Sequence, residues 1–126
     1  MTGPNWKLDD DLKTITLTFP TDPPVALQLE VSGVEDILKN LGEFRAAMTP
    51  EVQKTFAMGQ KVGAIPDPAW VTEPDLLAGD SLVHIRDPRY GWLHYLIPRE
   101  EARKLATLLQ NQVDAPPLGQ KQEKPN

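Results

Sequence analysis

The chain contains no cysteine, and this absence excludes several kinds of chemistry at once. Without thiols it has no disulfide, no thiolate nucleophile and no cysteine-based zinc site. A fold of this size must then be held together by packing alone, which fits a reducing compartment. We therefore expect a cytoplasmic protein, and the lack of an apolar signal core after Met1 favours the same location.

Basic residues are too few and too scattered for a nucleic-acid surface. The 126 residues include 13 basic and 18 acidic side chains, which gives a formal net charge of -5, and they contain no basic block. Such a balance disfavours a surface that follows a phosphate backbone. No apolar run approaches the length of a membrane span. We expect neither nucleic acid nor a membrane as a partner.

Motifs for cofactors and catalysis are missing as well. The chain has no glycine-rich phosphate loop, nucleophile elbow or dinucleotide fingerprint. Gly79-Asp80-Ser81-Leu82 resembles the signature of the GDSL esterases and lipases, a family in which the serine is the nucleophile. The Asp-x-x-His element of that family is absent at both His84 and His94. We therefore interpret the four residues as a turn that enters a strand.

Two alternating segments near the start of the chain predict a β-hairpin. Residues 14–19 and 25–31 alternate apolar and polar side chains, with a proline-rich turn between them. Pairing Phe19 with Val25 places the apolar side chains of both strands on one face. Residues 6–8 are expected to add an edge strand.

Helical spacing predicts further elements along the chain. A helix over about residues 33–47 is expected, with Ser32 as its N-cap. Thr49-Pro50 is expected to begin a second, short helix. A short strand near Trp70 is expected to pair with the hairpin that follows it. The last helix is predicted to begin after Pro98.

The only two histidines of the chain, His84 and His94, lie on the two strands of a second predicted hairpin, over residues 81–97. Pairing Arg86 with Trp92 across the five-residue turn places the two histidines directly opposite each other. Directly opposed side chains have Cβ atoms about 4.5–5.5 Å apart, close enough for two imidazoles to share a metal or a proton. The hairpin therefore predicts a histidine pair.

The outer face of this hairpin is the candidate binding surface for a partner or ligand. Five titratable, cationic or aromatic side chains lie on it or at the adjacent turn: His84, Arg86, Tyr90, Trp92 and His94. A zinc site there would need a third protein ligand, and Asp80 and Glu73 are candidates because they are near in sequence. The simpler interpretation is an amphipathic face that covers a loop or a second subunit. We expect Trp92 to be buried, either by residues 64–79 or by another copy of the chain.

Together these elements predict one α+β domain over residues 1–113 and a disordered tail over residues 114–126. We expect two layers: an antiparallel sheet of two hairpins, in the order β-β-α … β-β-α, with helices packed on one face. No residue-level repeat supports a duplication.

The function that the sequence favours is that of a non-catalytic binding or accessory protein without a cofactor. We expect it to form a homodimer through the His84/Trp92 face or a free strand edge, with an unidentified protein or small molecule as a further partner. The alternative is a small-molecule-binding or metal-dependent enzyme that uses the His84/His94 pair. A bound metal ion, or a deep pocket lined by both histidines, would favour the second alternative over the first.

Overall fold

The structure is a computed structural model that describes residues 3–117 of the chain. Its contacts divide the chain into two compact units, one up to Gln60 and one from Lys61. The first unit contains β1 (Asn5–Leu8), β2 (Thr14–Phe19), β3 (Val25–Glu30) and α1 (Val31–Ala47). The second contains β4 (Trp70–Pro74), β5 (Ser81–Asp87), β6 (Gly91–Ile97) and α2 (Arg99–Asp114). The fold is therefore mixed α+β.

The first unit is an antiparallel sheet in the order β1-β2-β3, followed by α1. Its register pairs Phe19 with Val25 and Leu17 with Leu27, which confirms the predicted hairpin. β1 extends the sheet beyond β2 and places Trp6 opposite Leu17. Leu17, in the central strand, is the single buried hydrophobic side chain among the described residues, with 6% of its surface exposed.

The second unit has the same order, with an antiparallel sheet β4-β5-β6 followed by α2. Its register pairs Arg86 with Trp92 and His84 with His94, as predicted. β4 pairs with β5 from Trp70 onward, so the predicted short strand is confirmed. The last helix also begins where the sequence predicted it.

The connection between β4 and β5 is hydrogen-bonded to the first residue of α2. Gly79 has a φ of 74°, and a Cβ added there would collide with the guanidinium of Arg99. Arg99 Nε donates to the carbonyl of Gly79 at 3.1 Å, and the Arg99 backbone N–H donates to Asp80 Oδ1 at 3.2 Å. The segment that resembles the esterase signature is thus a turn that enters a strand. Its aspartate, Asp80, accepts a hydrogen bond from a backbone N–H at the start of α2 that has no partner within the helix.

The sheets and helices differ in one respect from the predicted two-layer arrangement. The structure has two separate three-stranded sheets, because each hairpin pairs with the strand that directly precedes it in the chain. Short connections favour such pairing between sequence neighbours. Neither α1 nor α2 contains a buried residue, so packing of the helices on one sheet face is not confirmed.

Among residues 3–117, neither helix has the length and apolar character that crossing a membrane requires.

Two predicted helix details are wrong. β3 continues directly into α1, with Glu30 at the N-cap position and no side-chain cap, so Ser32 lies inside the helix. The segment after Thr49 contains no helix. Its apolar side chains, Val52 and Phe56, are 52% and 62% exposed, so no packing is present to stabilise a short helix.

The predicted domain boundary falls close to the end of the described residues. Asp114, the first residue of the predicted tail, is the last residue of α2. Residues 118–126 of that tail lie outside the described residues. A single domain over residues 1–113 stays a prediction.

Candidate functional site

The β4-β5-β6 sheet has two faces of different chemistry. Side chains alternate between the faces along each strand, so Val83, Ile85 and Leu93 share one face and the histidines lie on the other. We call the second surface the histidine face. It is formed by Val71, Glu73, Leu82, His84, Arg86, Trp92, His94 and Leu96.

A chain of hydrogen bonds crosses the centre of the histidine face. His84 Nε2 lies 2.8 Å from Glu73 Oε2, and His84 Nδ1 lies 2.8 Å from His94 Nδ1. The two imidazole rings meet edge to face, with centroids 5.0 Å apart and an interplanar angle of 71°. The His84 side chain is 18% exposed, whereas that of Glu73 is 58% exposed. Both ring nitrogens of His84 are therefore engaged, and Nε2 of His94 is the ring nitrogen outside these two bonds.

These contacts limit the number of protons that the two rings can hold. A neutral imidazole has one N–H donor and one acceptor nitrogen, and an imidazolium has two donors. With both rings neutral, His84 Nε2–H donates to Glu73, and His94 Nδ1–H donates to His84 Nδ1. One added proton still leaves a single N–H between the rings. A second added proton sets two N–H groups against each other, so a doubly protonated pair must separate.

The same geometry favours a shared proton over a shared metal ion. Two nitrogens bound to one tetrahedral zinc ion are about 3.3 Å apart, given Zn–N bonds of about 2.0–2.1 Å. The observed 2.8 Å between the Nδ1 atoms of His84 and His94 is a hydrogen-bond distance. Within residues 3–117, no three histidine or carboxylate side chains are grouped so that they would hold a metal ion. Of the two proposed third ligands, Glu73 contacts His84 and Asp80 contacts α2 instead.

The turn next to the histidine face is held by a nearly buried carboxylate. Asp87 Oδ1 accepts hydrogen bonds from the backbone N–H groups of Arg89 at 2.7 Å and Tyr90 at 3.1 Å. These bonds, the one from Arg89 first, hold the pKa of the Asp87 carboxyl below its usual value. The Arg89 guanidinium lies 5.2 Å from the centre of the Tyr90 ring. Tyr90 is thus placed at the turn, where it is 57% exposed.

Arg86 and Trp92 lie opposite each other at one end of the histidine face. Trp92 is 42% exposed, so residues 64–79 do not bury it. Burial of Trp92 by another copy of the chain stays a prediction. Arg86 also lines a shallow recess of about 470 Å³ together with Pro66, Pro68 and Pro88. The predicted residues therefore share one region, and His84 and His94 are joined by a side-chain hydrogen bond.

A second polar cluster, in the first unit, was not predicted from the sequence. Asp9 accepts hydrogen bonds from the Thr14 hydroxyl at 2.8 Å, the Thr16 hydroxyl at 2.9 Å and the Gln28 amide at 3.4 Å. These bonds, led by that of Thr14, hold the pKa of the Asp9 carboxyl below its usual value. The signal that would have found this cluster is the alternation of threonines on the polar side of β2, next to an acidic residue after β1.

The histidine face combines the hydrogen-bonded chain from Glu73 to His94 with exposed apolar side chains. Val71 is 51% exposed and Leu96 is 55% exposed, and they lie beside the two histidines. The face can therefore hold a proton and bury apolar surface against a partner. No protein-family model, no curated protein and no solved structure matches the chain.

Proposed function

We propose that this protein is a non-catalytic binding or accessory protein that self-associates. One observation carries the proposal: among the described residues, Leu17 is the single buried hydrophobic side chain, and neither helix contains a buried residue. A folded unit offsets its lost conformational entropy mainly by removing apolar surface from water. Many large apolar side chains of the described residues are still exposed, which supports a second polypeptide surface as their cover.

The histidine face supports a second copy of the chain as the occupant. Its charged side chains are at opposite ends: Glu73 lies in the row of Leu82, and Arg86 lies in the row of Trp92, with the histidines between them. A twofold axis through the histidine row brings the Glu73 end of one copy over the Arg86 end of the other. Such a surface is complementary to itself in charge, as a twofold interface requires. Trp92 and Arg86 are also residue types enriched in binding hot spots.

A second candidate function is favoured by the chain from Glu73 through His84 to His94. A carboxylate that orients one histidine is common in acid–base sites and behind metal-binding histidines. In this alternative the protein is a small-molecule-binding or metal-dependent enzyme that uses the His84/His94 pair, with His94 Nε2 as the nitrogen that contacts the small molecule or the metal ion. The exposed apolar side chains around the pair favour the first proposal, because an acid–base group does not require them.

Sedimentation velocity of the Trp92→Ala variant tests the first proposal at the histidine face. At pH 8 we expect the unchanged chain to associate, and the variant to bind itself at least about tenfold more weakly, as truncation of a hot-spot aromatic does. Trp70→Ala is the matched control, because Trp70 is an exposed tryptophan on the opposite face of the same sheet. Its association is expected to change less than about threefold, since a residue outside the interface contributes little to binding.

The same experiment at pH 5.5 tests the histidine pair. A doubly protonated pair must separate, so we expect association to be weaker at pH 5.5 than at pH 8. Glu73 and Arg86 are the other charged groups on the face. A monomer under all conditions contradicts the proposal. A monomer that also holds a stoichiometric metal ion, lost in His94→Ala, supports the metal-binding or enzyme alternative in its place.

A further inference from the structure

The β4-β5-β6 sheet ends in two edge strands of different chemistry. β4 contains Glu73 and Pro74, and charges and prolines are features that keep natural edge strands from pairing with another chain. The outer strands of the first unit contain a charge as well, Lys7 in β1 and Glu30 in β3. β6 (Gly91–Ile97) contains no acidic residue, no lysine or arginine and no proline. Among the described strands it is therefore the edge strand with the least protection.

Two backbone hydrogen bonds show which way the backbone groups of β5 point. The Asp75 N–H donates to the carbonyl of Asp80 at 2.8 Å, and the Arg86 N–H donates to the carbonyl of Ala69 at 2.9 Å. Backbone groups alternate in direction along an antiparallel strand, so the even-numbered residues of β5 point to β4 and the odd-numbered residues point to β6. The register pairs odd-numbered residues of β5 with odd-numbered residues of β6. The N–H and C=O groups of three β6 residues therefore point away from β5: those of Trp92, His94 and Leu96.

This outward side of β6 is a regular backbone edge. All seven residues of β6 pair with β5 without a bulge, so N–H donors and carbonyl acceptors alternate evenly along the other side. Within residues 3–117, no strand pairs with β6 on that side. A row of alternating donors and acceptors is complementary to another extended strand. The backbone of β6 thus indicates the class of occupant.

The side chains beside the edge indicate which strand fits it. Trp92 and Leu96 are exposed on the histidine face, and Tyr95 is exposed on the other face. A strand that pairs with β6 places its own side chains next to these, so apolar residues on both of its faces fit. Its central residue lies opposite His94, whose Nδ1 contacts His84. With both rings neutral, His94 Nε2 is an acceptor on the other side of the ring, and a hydroxyl on the paired strand can donate to it.

We infer that the free edge of β6 binds an extended segment of another protein, which adds a strand to the sheet. The segment is uncharged, with apolar residues on both faces and a serine or threonine opposite His94. A second copy of β6 fits less well, because full-length pairing sets His94 against His94, and both free ring nitrogens are then acceptors. The proposed self-association uses side chains of the histidine face rather than the backbone edge. The inference therefore goes beyond that proposal and does not depend on it.

Fluorescence anisotropy at pH 8 tests the inference with a labelled probe peptide and the full chain. The probe is Gly-Ser-Val-Val-Thr-Val-Val-Ser-Gly, which places threonine opposite His94 and valines on both faces. The matched control peptide has an N-methyl group on the threonine nitrogen, so it keeps every side chain and loses the central N–H. We expect the control to bind at least about tenfold more weakly. A peptide with valine in place of the threonine should bind about fivefold more weakly, because one hydrogen bond to His94 is lost.

Two variants of the chain test whether the probe binds at β6. Tyr95→Lys places a charge beside the β6 edge, on the sheet face opposite the histidines, and should weaken probe binding at least about tenfold. Trp70→Lys is the matched control, because Trp70 is exposed on the same sheet face but on the other edge strand, β4. It should change probe binding less than about threefold.

The outcomes separate this inference from the proposed self-association. Equal binding of the N-methylated peptide, equal losses in the two variants, or no saturable binding up to about 1 mM probe overturns the inference. If Tyr95→Lys lowers the mass of the chain in sedimentation, a second copy occupies the edge, and the inference is overturned as well. A monomer that binds the probe as expected supports the inference and contradicts only the self-association. Circular dichroism shows whether each variant is folded, and if Tyr95→Lys is not, the N-methylated peptide decides.

Discussion

Replacing Leu17 by alanine removes the one buried hydrophobic side chain among the described residues of the first unit. The substitution deletes three carbon atoms from a residue that is 6% exposed. At about 0.8 kcal/mol for each buried CH₂-sized group, the lost transfer free energy is about 2.4 kcal/mol. The cavity adds to this cost, but the neighbours Trp6 and Leu27 are 57% and 47% exposed, so they can relax into the space. We therefore expect the free energy of unfolding to fall by about 2.5–3.5 kcal/mol, near the lower part of the usual range.

Urea denaturation at one fixed chain concentration, followed by circular dichroism, measures this loss. Leu77→Ala is the matched control, because Leu77 is fully exposed in the second unit. Its free energy of unfolding is expected to change by less than about 0.5 kcal/mol, as for most surface substitutions. Equal effects of the two substitutions would refute the reasoning, since they would show that the β1-β2-β3 sheet does not pack around Leu17.

Two further predictions concern the turns of the second unit. Gly79→Ala should lower the free energy of unfolding by about 1 kcal/mol or more, because it strains a positive φ and collides with Arg99. Gly42→Ala, in open space on α1, should raise it by up to about 1 kcal/mol, and a loss at both positions in urea titrations would contradict this expectation. The backbone hydrogen bonds to Asp87 lower its carboxyl pKa, so the ionised carboxylate stabilises the folded chain at pH values above the usual carboxyl pKa. This stabilisation is lost as the pH falls through the pKa of the folded state, which lies below about 4. The melting temperatures of the unchanged chain and Asp87→Ala should therefore differ at pH 7, and the difference should shrink as the pH falls below the usual carboxyl pKa; a difference that does not change with pH would show that the ionised carboxylate is not the cause.

The strand register could be predicted from the sequence because it depends on local information. Alternation places apolar side chains on one face, and the length of each turn selects one pairing among the registers that keep them there. The pairs Phe19–Val25 and Arg86–Trp92 follow from this rule, and with them the contact between the two histidines. Glu73 was only a candidate third ligand, because the register of β4 depends on the connection over residues 75–80, which has no periodic pattern.

Burial of the helices could not be predicted for a different reason. An amphipathic stripe shows which side of a helix is apolar, but not whether anything in the same chain covers it. Leu41 and Leu109 lie on such stripes and are 59% and 51% exposed. The prediction of Ser32 as the N-cap is wrong because β3 runs directly into α1, so the helix has already begun before Ser32.

Sedimentation equilibrium of the unchanged chain at neutral pH tests the central claim most directly. If the exposed apolar faces are covered by a second copy, the mass should rise with concentration from the 14.0 kDa of one chain to twice that value. Circular dichroism of the same samples shows whether the chain is folded when it associates. A folded chain that stays at 14.0 kDa over the whole concentration range would contradict the account.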